Sequence, residues 1–262
     1  MRNTMDAIFR VENNDVTVSP FAAGPWNPGL QHGGAPSSLA VWAAEQVPTQ
    51  TPMRIARLTI DLLRPVPIAP MRIRPEVVRE GKKIQLLSIH LESGGVEVAR
   101  ASILKVRRSA SSYEAIATAD RLELPNHEHG RPRNIMGRAT VGFASGATIL
   151  AVKGEFGRKG PAAVWFRFER PFVEGHPSSA VMRSVATADF TNGVSSALNF
   201  DEWTFINADL NVSLARDPVG DWILLDAETW LGPDGGGIAF ARLADSKGYY
   251  GRVVQNLVVE AR

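Results

Sequence analysis

The sequence predicts an α+β fold built twice within one chain, two antiparallel sheets each wrapped around a helix and joined as a pseudo-dimer. Three observations predict it. A helix-like apolar stretch is followed by alternating, strand-like runs in the first hundred residues; the same order returns in the second half; and matching runs keep a constant spacing. LTIDLLR at 58–64 aligns with LNVSLAR at 210–216 (210 − 58 = 152), and Arg100 aligns with Arg252 (252 − 100 = 152). One offset recurring in elements of the same type and order argues for an internal duplication over two unrelated α+β halves.

Residues 30–47, LQHGGAPSSLAVWAAEQV, are rich in Ala and Leu, open on a Gly pair and a Pro, and stop at Pro48, which reads as a largely buried helix. From Arg57 the pattern turns to alternation, with Leu58, Ile60 and Leu62 apolar, until RPVP at 64–67 ends it. Residues 84–92 and 96–107 flank Ser93-Gly94-Gly95, a short Gly-containing connection of the kind that closes a β-hairpin. Residues 109–138 carry little periodicity and read as a linker, so the chain divides into a first unit at 1–110, a linker at 111–138 and a second unit at 139–262. Beyond it, residues 140–155 and 163–170 read as strands, 178–198 as a helix, and 210–216, 222–231 and 249–260 as strands. The last two bracket loops containing Gly235-Gly236-Gly237 and 245–248. Both helices are apolar on most sides, as expected of a helix enclosed by a sheet and a neighbour.

Composition narrows the chemistry. The 262 residues are 44% hydrophobic and 21% charged, which is ordinary globular composition, and 29 Lys and Arg against 27 Asp and Glu leave a net charge of +2, too small for a general polyanion-binding surface. Nucleic acid is therefore not an expected partner. With no cysteine there is no disulfide, thiolate metal site or cysteine nucleophile, so catalysis must use oxygen or nitrogen groups. The N-terminal fifteen residues lack the apolar core of a signal peptide and no run of eighteen apolar residues occurs, which gives the expectation of a cytoplasmic protein without membrane insertion.

Four places could carry chemistry. His32-Gly33-Gly34 stands just before the first helix, where free backbone N–H groups and the positive end of the dipole favour an oxygen with developing negative charge; the bland alternative is a flexible turn with a surface histidine. Asp189 follows Val185 and Val181 at steps of four, so its carboxylate falls on an apolar stripe, and a buried carboxylate needs partners or a task. Gln255 shares a strand face with Val253 and Leu257, and Asn207 precedes the alternating run at 210–216. His127 and His129 are spaced like a metal pair but sit in the polar segment NHEHGRPR and read as solvated linker residues. Asp234-Gly235-Gly236-Gly237 lacks the Lys and Ser or Thr of a phosphate-binding loop and reads as a hairpin loop.

The stretch GPWNPGLQHGGAPSSLAVWAAEQ, the segment ADFTNG and the closing QNLVVEAR together resemble the double-hotdog acyl-CoA thioesterases, the type II or TesB-like family. The resemblance implies a double hotdog and hydrolysis of an acyl-CoA thioester to free acid and coenzyme A. It implies no metal and no cofactor beyond the coenzyme A of the substrate, and association into a homo-oligomer. The family's trio, an aspartate in the second helix, a hydroxyl residue at the start of the next strand and a glutamine in the last strand, falls on Asp189, Asn207 and Gln255. Asn207 departs from the family's threonine, placing an amide where a hydroxyl is expected. Asp209 and Arg216 match two further family positions in INADLNVSLAR. His32, Gly33 and Gly34 become oxyanion or substrate-binding residues. Position 41, nine after His32, is valine, so the first helix has the Gly pair without the acid the family places there, and the second has the acid without a Gly pair, implying one composite site. The alternatives are a non-catalytic acyl-CoA-binding protein, which Asn207 favours, and a hydratase or dehydratase, which would need a catalytic histidine near Asp189 in a motif this chain lacks.

Overall fold

The computed structural model describes residues 6–110, 122–132, 142–156 and 158–262. The first half holds β1 (Phe9–Glu12), β2 (Asp15–Val18), α1 (Gly34–Gln46), β3 (Met53–Asp61), β4 (Met71–Arg79), β5 (Ile84–Ser93) and β6 (Val96–Arg107). The second holds β7 (Arg131–Pro132), β8 (Ala147–Lys153), β9 (Ala162–Phe168), α2 (Ala180–Ala188), α3 (Thr191–Val194), β10 (Trp203–Asn207), β11 (Asp209–Leu214), β12 (Ile223–Leu231), β13 (Gly236–Asp245) and β14 (Gly248–Ala261). All strands join one sheet in the order β1-β2-β4-β5-β6-β3-β11-β14-β13-β12-β9-β8-β7, with β10 also on β14. Reading outward from the β3–β11 seam, each half runs through the same sequence of strands, which is the duplication in three dimensions.

Across β3–β6 and their counterparts β10–β14 the offset of 152 holds residue by residue. β4 and β12 begin and end that far apart (223 − 71 and 231 − 79), as do β5 and β13 (236 − 84 and 245 − 93). Thr59 pairs with Ser102 in one half, and their counterparts Asn211 and Val254 pair in the other. A one-residue bulge in β3 between Ile55 and Arg57 recurs in the second half between Asn207 and Asn211, where β10 passes into β11. At the seam β3 and β11 run antiparallel with Thr59 opposite Asn211, its own counterpart, so the pseudo-two-fold axis passes through this pair.

The concave face of the sheet wraps α1 and α2, and one apolar core spans both halves. Gly34, Ala35, Pro36, Ser37 and Ser38 open α1 fully buried, and these small residues let α1 approach α2 closely. Pro36 lies in the first turn, where its missing N–H has no intrahelical acceptor to satisfy. The Ser179 hydroxyl caps α2 by accepting the Met182 N–H at 3.0 Å. Among the described residues no helix is long and apolar enough to cross a membrane.

The structure corrects or adds to the sequence reading in four places. The second helix does not run through 178–198: α2 ends at Ala188, Asp189 is its C-cap, and only the single turn of α3 follows. Residues 236–245, read as part of a loop region, form β13, with small residues on strand positions. β1, β2 and β4 escape the alternation test because they are short or interrupted; Pro75 sits in β4 beyond the two residues that pair with β2, so its missing N–H leaves no ladder bond unmade. Of the linker at 111–138, residues 111–121 and 133–138 lie outside the described residues, whereas 122–132 pack on the outer sheet face. There Leu122 and Leu124 join a small cluster around Trp165, whose indole donates to the Pro125 carbonyl at 3.0 Å. The His127 ring stacks on Trp222 at 4.5 Å rather than standing free in solvent.

Arg216 makes a bidentate ion pair with Asp245 at 2.6 and 2.7 Å, and the fully buried carboxylate also accepts the Val219 and Lys247 N–H groups at 2.8 Å each. Arg216→Met leaves that buried charge without its cation, and a loss of about 3 kcal/mol of unfolding free energy is expected from urea titration. A loss within experimental scatter would show that the two N–H groups suffice.

Candidate functional site

Asp189 sits where α2 breaks, 4% exposed, and three segments converge on its carboxylate. From β10, Asn207 Nδ2 donates to Oδ1 at 2.9 Å and to the Asp209 carbonyl at 3.1 Å. From β14, Gln255 Nε2 donates to Oδ1 at 3.2 Å, while its Oε1 accepts the Asn192 N–H of α3 at 3.2 Å. From the loop before α1, His32 Nδ1 lies 2.8 Å from Oδ2. A bulge lets a strand re-aim one side chain, and the irregularity following Asn207 stands where β10 delivers its amide.

Gly33 completes the set for a steric reason. Its φ of −59° suits any residue, but an added Cβ would lie 2.8 Å from each oxygen of Asp189. Gly34 is likewise required by space, its Cβ position falling 2.8 Å from Phe143 Cε1 and 2.9 Å from the Ala186 carbonyl of α2. The Cβ position of Gly33 thus faces the Asp189 carboxylate, and that of Gly34 faces the α2 backbone and Phe143.

The loop before α1 is pinned at several points. Leu30 bridges to Pro67, Gln31 bridges to Ala23 and donates through Nε2 to the Pro67 carbonyl at 2.8 Å, and the His32 N–H donates to Ala22 at 2.9 Å. The His32 ring packs against both Phe143 (5.0 Å) and Phe190 (4.3 Å), which also stack on each other at 6.0 Å. Sequence reasoning missed these two rings, which stand 111 and 158 positions beyond His32 with no local signal, and it missed Asn192 as the residue that orients Gln255.

One atom carries two contacts. The Gly34 N–H points at His32 Nδ1 at 3.2 Å, the same nitrogen that meets Asp189 Oδ2. Nδ1 can accept from Gly34 or, carrying a proton, donate to Asp189, and the 2.8 Å contact places a proton between ring and carboxylate. When Nδ1 holds it, the Gly34 N–H is released. Among the described residues the Gly33 N–H has no acceptor, so the first turn of α1 presents two backbone donors beside a fixed carboxylate.

An acyl-CoA thioesterase N-terminal domain model matches residues 22–106, and an acyl-CoA thioesterase C-terminal domain model matches residues 119–259. No curated protein sequence matches the chain. Among solved structures, a hotdog-fold protein of unknown function from Alicyclobacillus acidocaldarius shares 15% identity with a TM-score of 0.77, over 98% of this chain and 97% of its own. The acyl-CoA thioesterase II TesB2 of Mycobacterium marinum shares 16% identity with a TM-score of 0.69, over 96% and 95%. The tesB protein of Mycobacterium avium subs paratuberculosis shares 15% at the same TM-score and coverage. At these identities the likeness is one of fold.

Proposed function

Because the chain belongs to the acyl-CoA thioesterase family and is a thioester hydrolase, we propose that Asp189 activates the attacking water while the first turn of α1 binds the carbonyl oxygen of an acyl-CoA. The observation that carries this reading is the buried Asp189 carboxylate set against Gly33, with Asn207, Gln255 and His32 bonded to it.

The Gly33 N–H, joined by the Gly34 N–H once Nδ1 donates to Asp189, stabilises the negative charge that grows on the thioester oxygen. Asp189 takes a proton from water as the new C–O bond forms. The tetrahedral intermediate then expels the thiolate of coenzyme A, a good leaving group that needs no strong acid. Gln255 spends its amide on Asp189 and Asn192, so its part is to hold the carboxylate rather than the water. Asn207 donates both Nδ2 protons to Asp189 and Asp209, which leaves its Oδ1 as the acceptor that orients the water in place of a threonine hydroxyl. In the same reading the units are 1–110 and 139–262 joined by 111–138, no metal or further cofactor takes part, and the protein works in the cytoplasm. The chain forms a homo-oligomer, which sedimentation velocity tests by a mass above 28.4 kDa.

The experiment is thiol release from short, medium, long and aromatic acyl-CoA esters. Turnover of at least one class is expected. Binding of every ester without release would instead establish a non-catalytic acyl-CoA-binding protein. Asn207→Ala is expected to lower kcat by about 10–100-fold, the worth of a hydrogen bond to a charged or developing charge.

A further inference from the structure

The pseudo-two-fold axis that builds the Asp189 site must also place its image at the other end of the helix pair. There the N-cap of α2, Ser179, meets a carboxylate near the end of α1: Ser179 Oγ donates to Glu45 Oε1 at 2.7 Å, as Gly33 meets Asp189 on the other side. Ile55 stands at the counterpart of Asn207 and Lys105 at that of Leu257. These residues face a cleft of about 290 Å³ with an apolar wall of Val47, Met53, Ile55 and Val181. Lys105 is 5% exposed and spends one of its three ammonium protons on the Val47 carbonyl at 2.7 Å. Burial pushes the Lys105 ammonium below its ordinary range and the Glu45 carboxyl above its own.

Charge separates the image from the original. Arg54, Lys105 and Arg108 line the cleft, and the backbone next to it brings Lys82, Lys83 and Arg107 into the neighbourhood, through the Thr51 hydroxyl on the Lys82 carbonyl (3.1 Å), the Arg107 N–H on the Lys83 carbonyl (2.9 Å) and the pairing of Arg107 with the lining residue Met53. Against these six cations stand Glu45, Glu80 and Asp217, an excess of three where the whole chain has +2. Arg108 is ion-paired to Asp217, and Arg54 donates to the Leu214 and Ala215 carbonyls at 2.9 Å each. The six counterparts beside the Asp189 site are Ile206, Asp234, Gly235, Leu257, Val259 and Glu260, with no cation among them.

We propose that this cleft is a second, non-hydrolytic binding site for a phosphorylated ligand with an apolar arm, the chemistry of free coenzyme A, its phosphates on the cationic rim and its arm along the Val47–Val181 wall. The choice of coenzyme A rests on the hydrolase reading above; the cation-rich cleft does not. With Ser179 bonded to Glu45 and isoleucine at the counterpart of Asn207, the image site lacks the carboxylate–carboxamide pair that the Asp189 site uses on water.

The test is calorimetric titration of coenzyme A, adenosine 3′,5′-bisphosphate and pantetheine into the wild type and into Lys82→Glu/Lys83→Glu/Arg107→Glu, three exposed positions whose replacement leaves the core untouched. Hydrogen exchange with coenzyme A bound locates the site. Expected are protection at 47–54 and 105–108, binding of the bisphosphate but not of pantetheine alone, and at least tenfold weaker coenzyme A binding in the triple variant with a reduced salt dependence. Protection confined to 189–207, or equal affinity in both proteins, overturns the proposal. Thiol release is assayed separately on the wild type, so failure of the hydrolase reading leaves the titration interpretable.

Discussion

Asp189→Asn is expected to lower kcat for thioester hydrolysis by about 10²–10⁴-fold, the usual worth of a positioned general base, with the fold intact. The amide is nearly isosteric, so the space beside Gly33 stays filled, but it cannot accept a proton from water. It also presents an N–H₂ to partners that are themselves donors: Asn207 and Gln255 both donate to Oδ1, and His32 lies on Oδ2. Either the amide nitrogen meets His32 Nδ1, fixing that ring nitrogen as an acceptor, or it faces two other amides. Thiol release measured beside the wild type, with thermal unfolding as the control for folding, reads the effect. A rate within fivefold of wild type would remove Asp189 from the chemistry.

Gly33→Ala should be nearly as severe for activity. The new methyl would lie 2.8 Å from both carboxylate oxygens and 3.1 Å from Cγ, so carboxylate or helix start must move. Overpacking of this kind costs about 1–3 kcal/mol, and in a chain of this size that lowers Tm by several degrees. A shift of about 1 Å between carboxylate and donors is expected to lower kcat/KM about 10²-fold. Gly34→Ala separates the effects: its methyl meets Phe143 Cε1 at 2.8 Å and the Ala186 carbonyl at 2.9 Å, so the α1–α2 contact suffers first. The expected ordering is a larger Tm loss for Gly34→Ala and a larger rate loss per degree of Tm for Gly33→Ala. The reverse ordering would move the reacting centre away from Gly33.

Much of this architecture was legible in the sequence because the strands next to the seam alternate strictly. Leu58, Ile60, Leu210 and Val212 face the core, and their spacing exposed the offset before any coordinates. β13 was not legible, because GGIAFARLAD mixes small residues on both faces and Gly236 and Gly237 look like a turn. The break after Ala188 was hidden for a different reason. ATADFTNGV holds no proline, and its weak helix formers Thr, Asp, Asn and Gly do not say by themselves where the helix stops; the break sets Asp189 against groups from β10, β14 and the α1 entry loop. Asp189, Asn207, Gln255 and the His32 motif were named through family resemblance; the residue patterns alone left each balanced against a packing role. Phe143, Phe190 and Asn192 lay beyond reach, since only the folded chain sets them beside His32 and Gln255.

The pairing of Thr59 with Asn211 carries a consequence for how the chain is made. At a synthesis rate of about 5–20 residues per second, β3 leaves the ribosome roughly 8–30 s before β11 exists to cover it. Once β6 has emerged and paired with it, the strand still has a bare row of N–H and C=O groups on its other side until β11 arrives, the template on which chains join edge to edge. Its residues nearest that future seam include Arg57 and Asp61, whose charges discourage a stray strand from docking flat. Closing the seam joins residues about 150 positions apart and so raises contact order, which makes completion of the pair, rather than formation of either hairpin sheet, the slow event in biogenesis.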